Sequence, residues 1–382
     1  MAHFKTHYCM VSGQAAPNLL PLLDETIKPE KVVLLVTPQM RANAQWLEKV
    51  IKPRGIKVVQ HPLELADDFS IMQEQLMSVI EQEPADDIAL NATGGTKWMA
   101  IAAQEVFRMN GSAVFYVKVE DDKVLFLDSD RPAHTLSQRI DLKSYIQSYG
   151  YDFRDKGQVS GLPQNLRDLC QQMVLHVNEW QGAIGNLNLL ASEGQRKNTL
   201  SVNSAEILKH PDSHLETLLE ACAEADVIRE GNSRGQVIFT DEDTRTWANG
   251  GWLEDYVNAQ LNALKGEGVI QDSPRLNLHI HRQGATSHNE VDVCFMARNR
   301  LHLIECKTKR MSGQKTGGVA TETVYKLDSI SDLGGLGTKS MLVSYRKLNP
   351  ADEKRARDLR IRVIQEGQLQ NLKSLLRDWI QG

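Results

Sequence analysis

Two short apolar segments of this 382-residue chain carry four charged side chains at spacings that can do chemistry: Asn289-Glu290-Val291-Asp292-Val293 and Leu303-Ile304-Glu305-Cys306-Lys307. Side chains alternate across a strand. Glu290 and Asp292 therefore share one face, with Val291, Val293 and Phe295 on the other, and Glu305 and Lys307 share a face opposite Ile304. Arg298-Asn299 suits a two-residue turn, because Asn tolerates the left-handed conformation. Such a turn predicts Asp292 opposite Glu305 and Glu290 opposite Lys307. Facing carboxylates repel, and a bound cation removes that repulsion. Hard oxygen donors point to Mg²⁺ or Mn²⁺ rather than zinc. Such an ion polarises a phosphodiester and acidifies a bound water. A lysine beside it can orient the water and offset the charge developing at phosphorus. Glu254, on a helix expected to start at Asn249-Gly250-Gly251, lies at the edge of the side that Leu253, Val257 and Leu261 mark as buried. It offers a further carboxylate. A plain surface hairpin with a Glu290–Lys307 salt bridge would leave Asp292 facing Glu305 without a reason.

These residues resemble the PD-(D/E)xK, or restriction-endonuclease-like, nucleases. The matching positions are Glu254 on the first core helix, Asp292, and Glu305-Cys306-Lys307. The resemblance implies that Asp292 and Glu305 hold the metal with the Cys306 backbone carbonyl, and that Glu254 and Lys307 complete the catalytic set.

A second constellation lies near the other end. The apolar run 87–90 leads into Asn91-Ala92-Thr93-Gly94-Gly95-Thr96-Lys97 before a helix. Small residues between a strand and a helix N-terminus expose backbone N–H groups to phosphate or another polar group. The spacing is neither a Walker A motif nor a dinucleotide fingerprint. Ser12-Gly13-Gln14, leading to Asn18, is a similar turn after the first strand, and Thr37 follows the second. In open α/β sheets these strand ends line the ligand crevice.

The Ser12–Gln14 and Thr93–Lys97 loops look like those of a CARF domain, the Rossmann-like sensor of CRISPR-associated proteins. The whole chain then resembles the CARF–PD-(D/E)xK ancillary nucleases of type III CRISPR systems. That resemblance implies a homodimer, a cyclic oligoadenylate (typically the tetramer) bound across the twofold, and metal-dependent cutting of DNA or RNA in antiviral defence. Carried over by position, Ser12, Gln14, Asn18, Thr37, Thr93, Gly94, Gly95, Thr96 and Lys97 are the candidate ligand contacts. A CARF–winged-helix transcription regulator with a non-catalytic C-terminal domain is the alternative, but it has no need of four converging charges.

The elements that must position these groups follow from periodicity. Strands at 8–11, 31–36, 56–59, 87–90 and 112–119 alternate with helices at 18–27, 39–51, 67–81 and 96–109. This predicts a doubly wound α/β domain over residues 1–150. Residues 151–248 read as a linking segment of helices, 166–180, 204–210 and 214–225, followed by a hairpin around a glycine-bounded loop, which suggests a winged helix. Residues 249–382 predict a second α/β domain on a mixed sheet. Of the residues, 41% are hydrophobic and 24% charged, ordinary for a globular protein, with no run long enough to span a membrane. Five scattered cysteines without a Cys-x-x-Cys imply a reducing cytoplasm rather than disulfides or a zinc ribbon. The net charge is −5, but from residue 300 onward there are 16 basic and 9 acidic residues, against 28 and 40 before it. A basic C-terminal part behind an acidic N-terminal part is compatible with polyanion contact at that end only, or with a plain solvated basic surface.

Overall fold

The structure is a computed structural model that describes residues 3–64, 68–128, 130–154, 161–270, 272–284, 288–309, 319–331 and 334–382. In the N-terminal domain β1 (Thr6–Met10), β2 (Lys31–Val36), β3 (Lys57–Pro62), β4 (Ile88–Asn91) and β5 (Ala113–Lys118) form a parallel sheet. An antiparallel edge, β6 (Lys123–Phe126) and β7 (His134–Thr135), completes it in the order β3-β2-β1-β4-β5-β6-β7. The central strands are near-continuous apolar runs because α1 (Ala16–Leu23), α2 (Arg41–Ile51), α3 (Phe69–Ile80) and α4 (Lys97–Met109) flank them in chain order, so both faces are covered. The strand order reverses between β1 and β4, the topological switch point where open sheets bind ligands. The Ser12–Gln14 and Thr93–Lys97 loops leave the sheet there. After α5 (Leu142–Ser148) the chain enters β8 (Tyr151–Arg154), which pairs not with this sheet but with the C-terminal one.

The middle of the chain holds α6 (Gln164–Leu175), α7 (Gln181–Lys197), β9 (Ser201–Asn203), α8 (Ser204–Ile207), α9 (Leu215–Glu224), β10 (Ile228–Glu230) and β11 (Gln236–Phe239). The order of these elements and the sheet order β10-β11-β9 are those of a winged helix. The periodicity missed α7, whose Gly182, Gly185 and Gly194 are weak helix formers. Packing explains them: a side chain at Gly182 would collide with Asp212, and one at Gly185 with Arg346. This segment is no loose tether. Trp180, Leu187, Cys222 and Phe239 share one core with Leu253, Val257, Ile304 and Val343 of the last domain.

In the C-terminal domain α10 (Glu242–Thr246) leads to α11 (Trp252–Gly266), then β12 (Arg275–Arg282), β13 (His288–Ala297), β14 (Arg300–Lys307), α12 (Val319–Ser331), β15 (Lys339–Ser344), α13 (Pro350–Asp358), β16 (Arg362–Gln365) and α14 (Leu372–Gln381). The sheet runs β16-β15-β14-β13-β12-β8, with β14, β15 and β16 parallel and the rest antiparallel. Asn249-Gly250-Gly251 leads straight into α11, whose N-cap is Gly251. It closes a π-type turn that joins α10 to α11, with Gly250 at φ +127°, and a side chain there would also strike the Thr308 hydroxyl. Among the described residues, no helix is long and apolar enough to cross a membrane, and all five cysteines are buried and unpaired.

The two-residue turn is present. Arg298 and Asn299 both adopt positive φ, 50° and 56°, and the ladder pairs Ala297 with Arg300 through Val293 with Ile304. The same turn ties the two α/β domains together. The Asn299 side-chain oxygen accepts from the Ile140 backbone N–H at 2.9 Å, and its side-chain amide N–H donates to Asp122 at 2.7 Å. One apolar cluster continues from Leu34 and Tyr145 to Met296 and Leu303. Asn299→Ala should therefore lower stability by about 2–4 kcal/mol, through an orphaned buried N–H and a strained turn. Asn299→Gly should recover only the turn component. Urea unfolding of the three chains checks this.

Candidate functional site

At the far end of the hairpin, one step beyond the last ladder pair Val293–Ile304, Asp292 and Glu305 stand close together. The Asp292 carboxylate accepts from the Cys306 backbone N–H at 2.7 Å, which locks it beside β14. Glu305 is 2% exposed. Lys307 bridges the two acids, its Nζ lying 2.7 Å from Glu305 and 3.7 Å from Asp292. Glu254, on the first turn of α11, faces the same group and is half-buried. Burial, and then the neighbouring Asp292 charge, push its carboxyl up to about 9. Burial and Glu305 likewise raise Asp292 to about 6. For Lys307 burial opposes the charge, but the carboxylates of Asp292 and Glu305 outweigh it and hold its pKa above the usual lysine value. Three acids and a lysine thus crowd a poorly solvated patch where charge is expensive.

Glu290 is not part of it. It is exposed, stands opposite His279 on β12, and makes no ion pair with Lys307 among the described residues. The β13–β14 ladder stops at the Val293–Ile304 pair while the β12–β13 ladder continues to His288, so the expected partner is lost. A residue that sequence reading missed takes the place: Lys326 on α12, whose Nζ donates to both Glu305 oxygens at 2.9 and 3.0 Å. Its only signal is a lysine in the second half of a helix that packs on β14 and β15. Thr308, just past Lys307, accepts from Asn188 of α7 at 3.0 Å and fills the space left by Gly250. The middle segment thereby braces the end of β14. The donor set is one that hard cations take. Among the described residues, no three acidic, His or Cys side chains stand in an arrangement that would already hold a metal ion, and Glu305 is held instead by two lysines.

At the switch point of the N-terminal sheet, the nine expected ligand contacts divide by role. Asn18 is buried and structural: its amide donates to the Met10 carbonyl at 3.0 Å and its oxygen accepts from Asn91 at 3.2 Å. Thr93 is likewise engaged, donating to Asn91 at 2.7 Å and accepting from the Val117 N–H at 2.7 Å. Asn91, not singled out from the sequence, is the centre of this network. Ser12 accepts from the Gln14 N–H at 3.2 Å, and Thr37 is buried where a short helix begins. Thr96 caps α4 by accepting from the Met99 N–H at 3.3 Å, and Lys97 follows, exposed. Gly94 is pressed against β1, where an added Cβ would sit 2.1 Å from the Met10 carbonyl oxygen, and Gly95 has φ +75°. Gln14 points the other way: its side-chain oxygen accepts from the Leu336 N–H of the C-terminal domain at 3.3 Å.

A carboxylate-and-lysine hairpin on a mixed sheet, joined to a Rossmann-like sensor sheet, defines a nuclease of the restriction-endonuclease class with a ligand-sensing domain. Residues 6–145 match the Card1 CARF domain and residues 241–382 match the Card1-like endonuclease domain. The chain belongs to the Card1 family of CARF-domain endonucleases. It is similar to protein VC1899 from Vibrio cholerae, with 27% identity and a TM-score of 0.87 over 98% of this chain and 97% of that one. It is also similar to Can2 from Sulfobacillus thermosulfidooxidans, solved with cyclic tetra-adenylate, with 27% identity and a TM-score of 0.82 over 99% and 98%. A type III CRISPR defence DNA nuclease activated by cyclic oligoadenylate shares the fold at 18% identity and TM-score 0.55, over 91% of this chain and 46% of that one. No curated protein sequence matches the chain.

The close approach at Gly94 is directly testable. Gly94→Ala should force the loop away from β1 and destabilise the chain by about 1–3 kcal/mol. Gly13→Ala, where nothing lies within 4 Å, should be nearly neutral. Thermal unfolding of the two variants compares them.

Proposed function

We propose that this endonuclease is metal-dependent and is switched on by a cyclic oligoadenylate, cleaving DNA or RNA phosphodiesters as a homodimer in the cytoplasm. The observation that carries the reading is the convergence of Glu254, Asp292, Glu305 and Lys307 at one end of a chain whose other end is a CARF domain. The Can2 complex, 27% identical over nearly the whole chain, supports cyclic tetra-adenylate as activator. A ring of even size has a twofold axis, and a twofold dimer presents each loop twice. A regulator with an inert C-terminal domain is disfavoured by the endonuclease match.

The residues fit a divalent cation. Burial and neighbouring carboxylates hold the Glu254 and Asp292 carboxyls above their ordinary pKa even with Lys307 nearby, so a further positive charge among them would be stabilised. Asp292, Glu305 and the Cys306 carbonyl would hold Mg²⁺ or Mn²⁺. The ion would polarise the scissile phosphodiester and acidify an attacking water. Lys307 would orient that water and balance negative charge at the phosphate oxygens. Without the ion, the Glu254 carboxyl keeps its proton at neutral pH, since its pKa stands near 9. Lys326 covers Glu305 in the same state.

Plasmid and single-stranded RNA incubated with Mn²⁺, with and without cyclic tetra-adenylate, test the reading. Cleavage should depend on both additions, and cleavage that ignores the ring would contradict it. Asp292→Asn, Glu305→Ala and Lys307→Ala should each reduce cleavage by roughly a hundredfold or more while ring binding persists. Lys97→Ala should weaken ring binding, with one ring bound per two chains by calorimetry and light scattering. Lys326→Met removes a competitor for Glu305 and should lower the Mn²⁺ concentration that gives half-maximal cleavage.

A further inference from the structure

The positive charge of the C-terminal part collects at a place the catalytic site does not use. Arg300, Lys339, Arg357, Arg360 and Arg362 line one cleft of about 470 Å³, floored by the starts of β14, β15 and β16 and by the turn after α13. No carboxylate lines it, and none of the five makes an ion pair among the described residues. Like charges this close repel, and Lys339 titrates below its ordinary value through burial and then through Arg300 and Arg298. Arg360 holds a left-handed backbone at φ 58°, a conformation that a non-glycine residue adopts at some expense. Two hydroxyls on the same wall, Thr338 Oγ1 and the 95%-buried Ser340 Oγ, have no hydrogen-bond partner. Cations without counter-charges beside hydroxyls without partners are complementary to a phosphodiester.

Position identifies which phosphodiester. β14 runs from Arg300 in this cleft to Lys307 in the catalytic site, seven steps or about 23 Å away. The cleft continues instead toward the N-terminal domain. An adjoining cavity of about 430 Å³ shares Leu336, Thr338, Ser340 and Arg360 and reaches Gly13 and Gln14 of the first switch-point loop. That loop already touches this wall through the Gln14–Leu336 hydrogen bond. The activator also lacks cations on its own side, because Lys97 alone among the nine candidate contacts carries positive charge.

We propose that this cleft is an anion site through which the C-terminal domain grips the phosphodiesters of the activator bound at the N-terminal domain. The proposal rests on the reading of the protein as a ring-activated nuclease. It gives the ring a direct hold on the nuclease domain. The wall that would contact phosphate, residues 334–340, follows α12, whose Lys326 holds Glu305. Tyr145 of the N-terminal domain already donates to the Gly334 carbonyl at 2.6 Å.

The test uses the full-length chain without metal, so that nothing is cut. Cyclic tetra-adenylate and a labelled single-stranded oligonucleotide are titrated separately into wild type, Arg357→Ala/Arg360→Ala and Ser340→Ala at several salt concentrations. The double variant should bind the ring at least tenfold more weakly with a shallower salt dependence, and Ser340→Ala severalfold more weakly. Oligonucleotide affinity and thermal unfolding should be unchanged in both. Unchanged ring affinity in both variants overturns the proposal and leaves the activated-nuclease reading intact. Loss of oligonucleotide binding alone makes the cleft a substrate site and also overturns it. Wild type that fails to bind the ring overturns the activated-nuclease reading itself, and this proposal with it.

Discussion

Carboxylates forced together out of water repel, and something must hold them until an opposite charge arrives. Here that work is divided. The Cys306 N–H fixes Asp292, Lys307 sits between Asp292 and Glu305, Lys326 neutralises Glu305 from a neighbouring helix, and Glu254 retains a proton. The rest of the nuclease domain serves this arrangement. The Arg298–Asn299 turn sets the register that brings the acids face to face. The π-type turn at Gly250 aims α11 so that Glu254 reaches them while Thr308 fits against the glycine. The winged-helix-like segment shares the core of the domain and donates from Asn188 to the end of the same strand.

The geometry also explains how a sensor at one end can speak to a blade at the other. The domains are in contact at two levels. Asn299, the residue that sets the hairpin, is bonded to Ile140 and Asp122. The Gly334–Leu336 stretch is bonded to Tyr145 and Gln14. A ligand can favour the active arrangement only through differential contacts with two states. The Gln14 contact lies where such a difference can arise, beside the switch-point loops and on the stretch that follows α12. The shared core of the middle segment places it with the nuclease domain rather than as a hinge between the two halves.

Much of this was legible in the sequence, for physical reasons. Alternation along 289–293 and 303–307, with one turn-forming Asn, is enough to place Asp292 against Glu305, because strand periodicity is strict. The parallel sheet and its loops follow from apolar runs that have no other stable use. Other features were not legible. Glu290 was expected opposite Lys307, but the β13–β14 ladder does not reach back past Val293 and Glu290 pairs with His279 of β12; no local pattern encodes where a ladder ends. Lys326 and Asn91 act through partners distant in sequence, so spacing could not reveal them. The helix α7 was hidden because its glycines answer to tertiary neighbours rather than to helix propensity. Asn18 and Thr93, expected at the ligand, make hydrogen bonds that hold the loops in place, a role that their spacing did not reveal.

The central claim is that the acid cluster exists to receive a divalent cation and waits for it partly protonated. Calorimetric titration of Mn²⁺ at pH 7.5 in buffers of different ionisation enthalpy measures the protons displaced on binding. Glu254 titrates near 9 without the ion, so binding should release about one proton. The release should fade as the pH passes that value and disappear in Glu254→Gln. Mn²⁺ binding that releases no proton from the wild-type chain, or that fails to occur at Asp292 and Glu305 at all, would contradict the account.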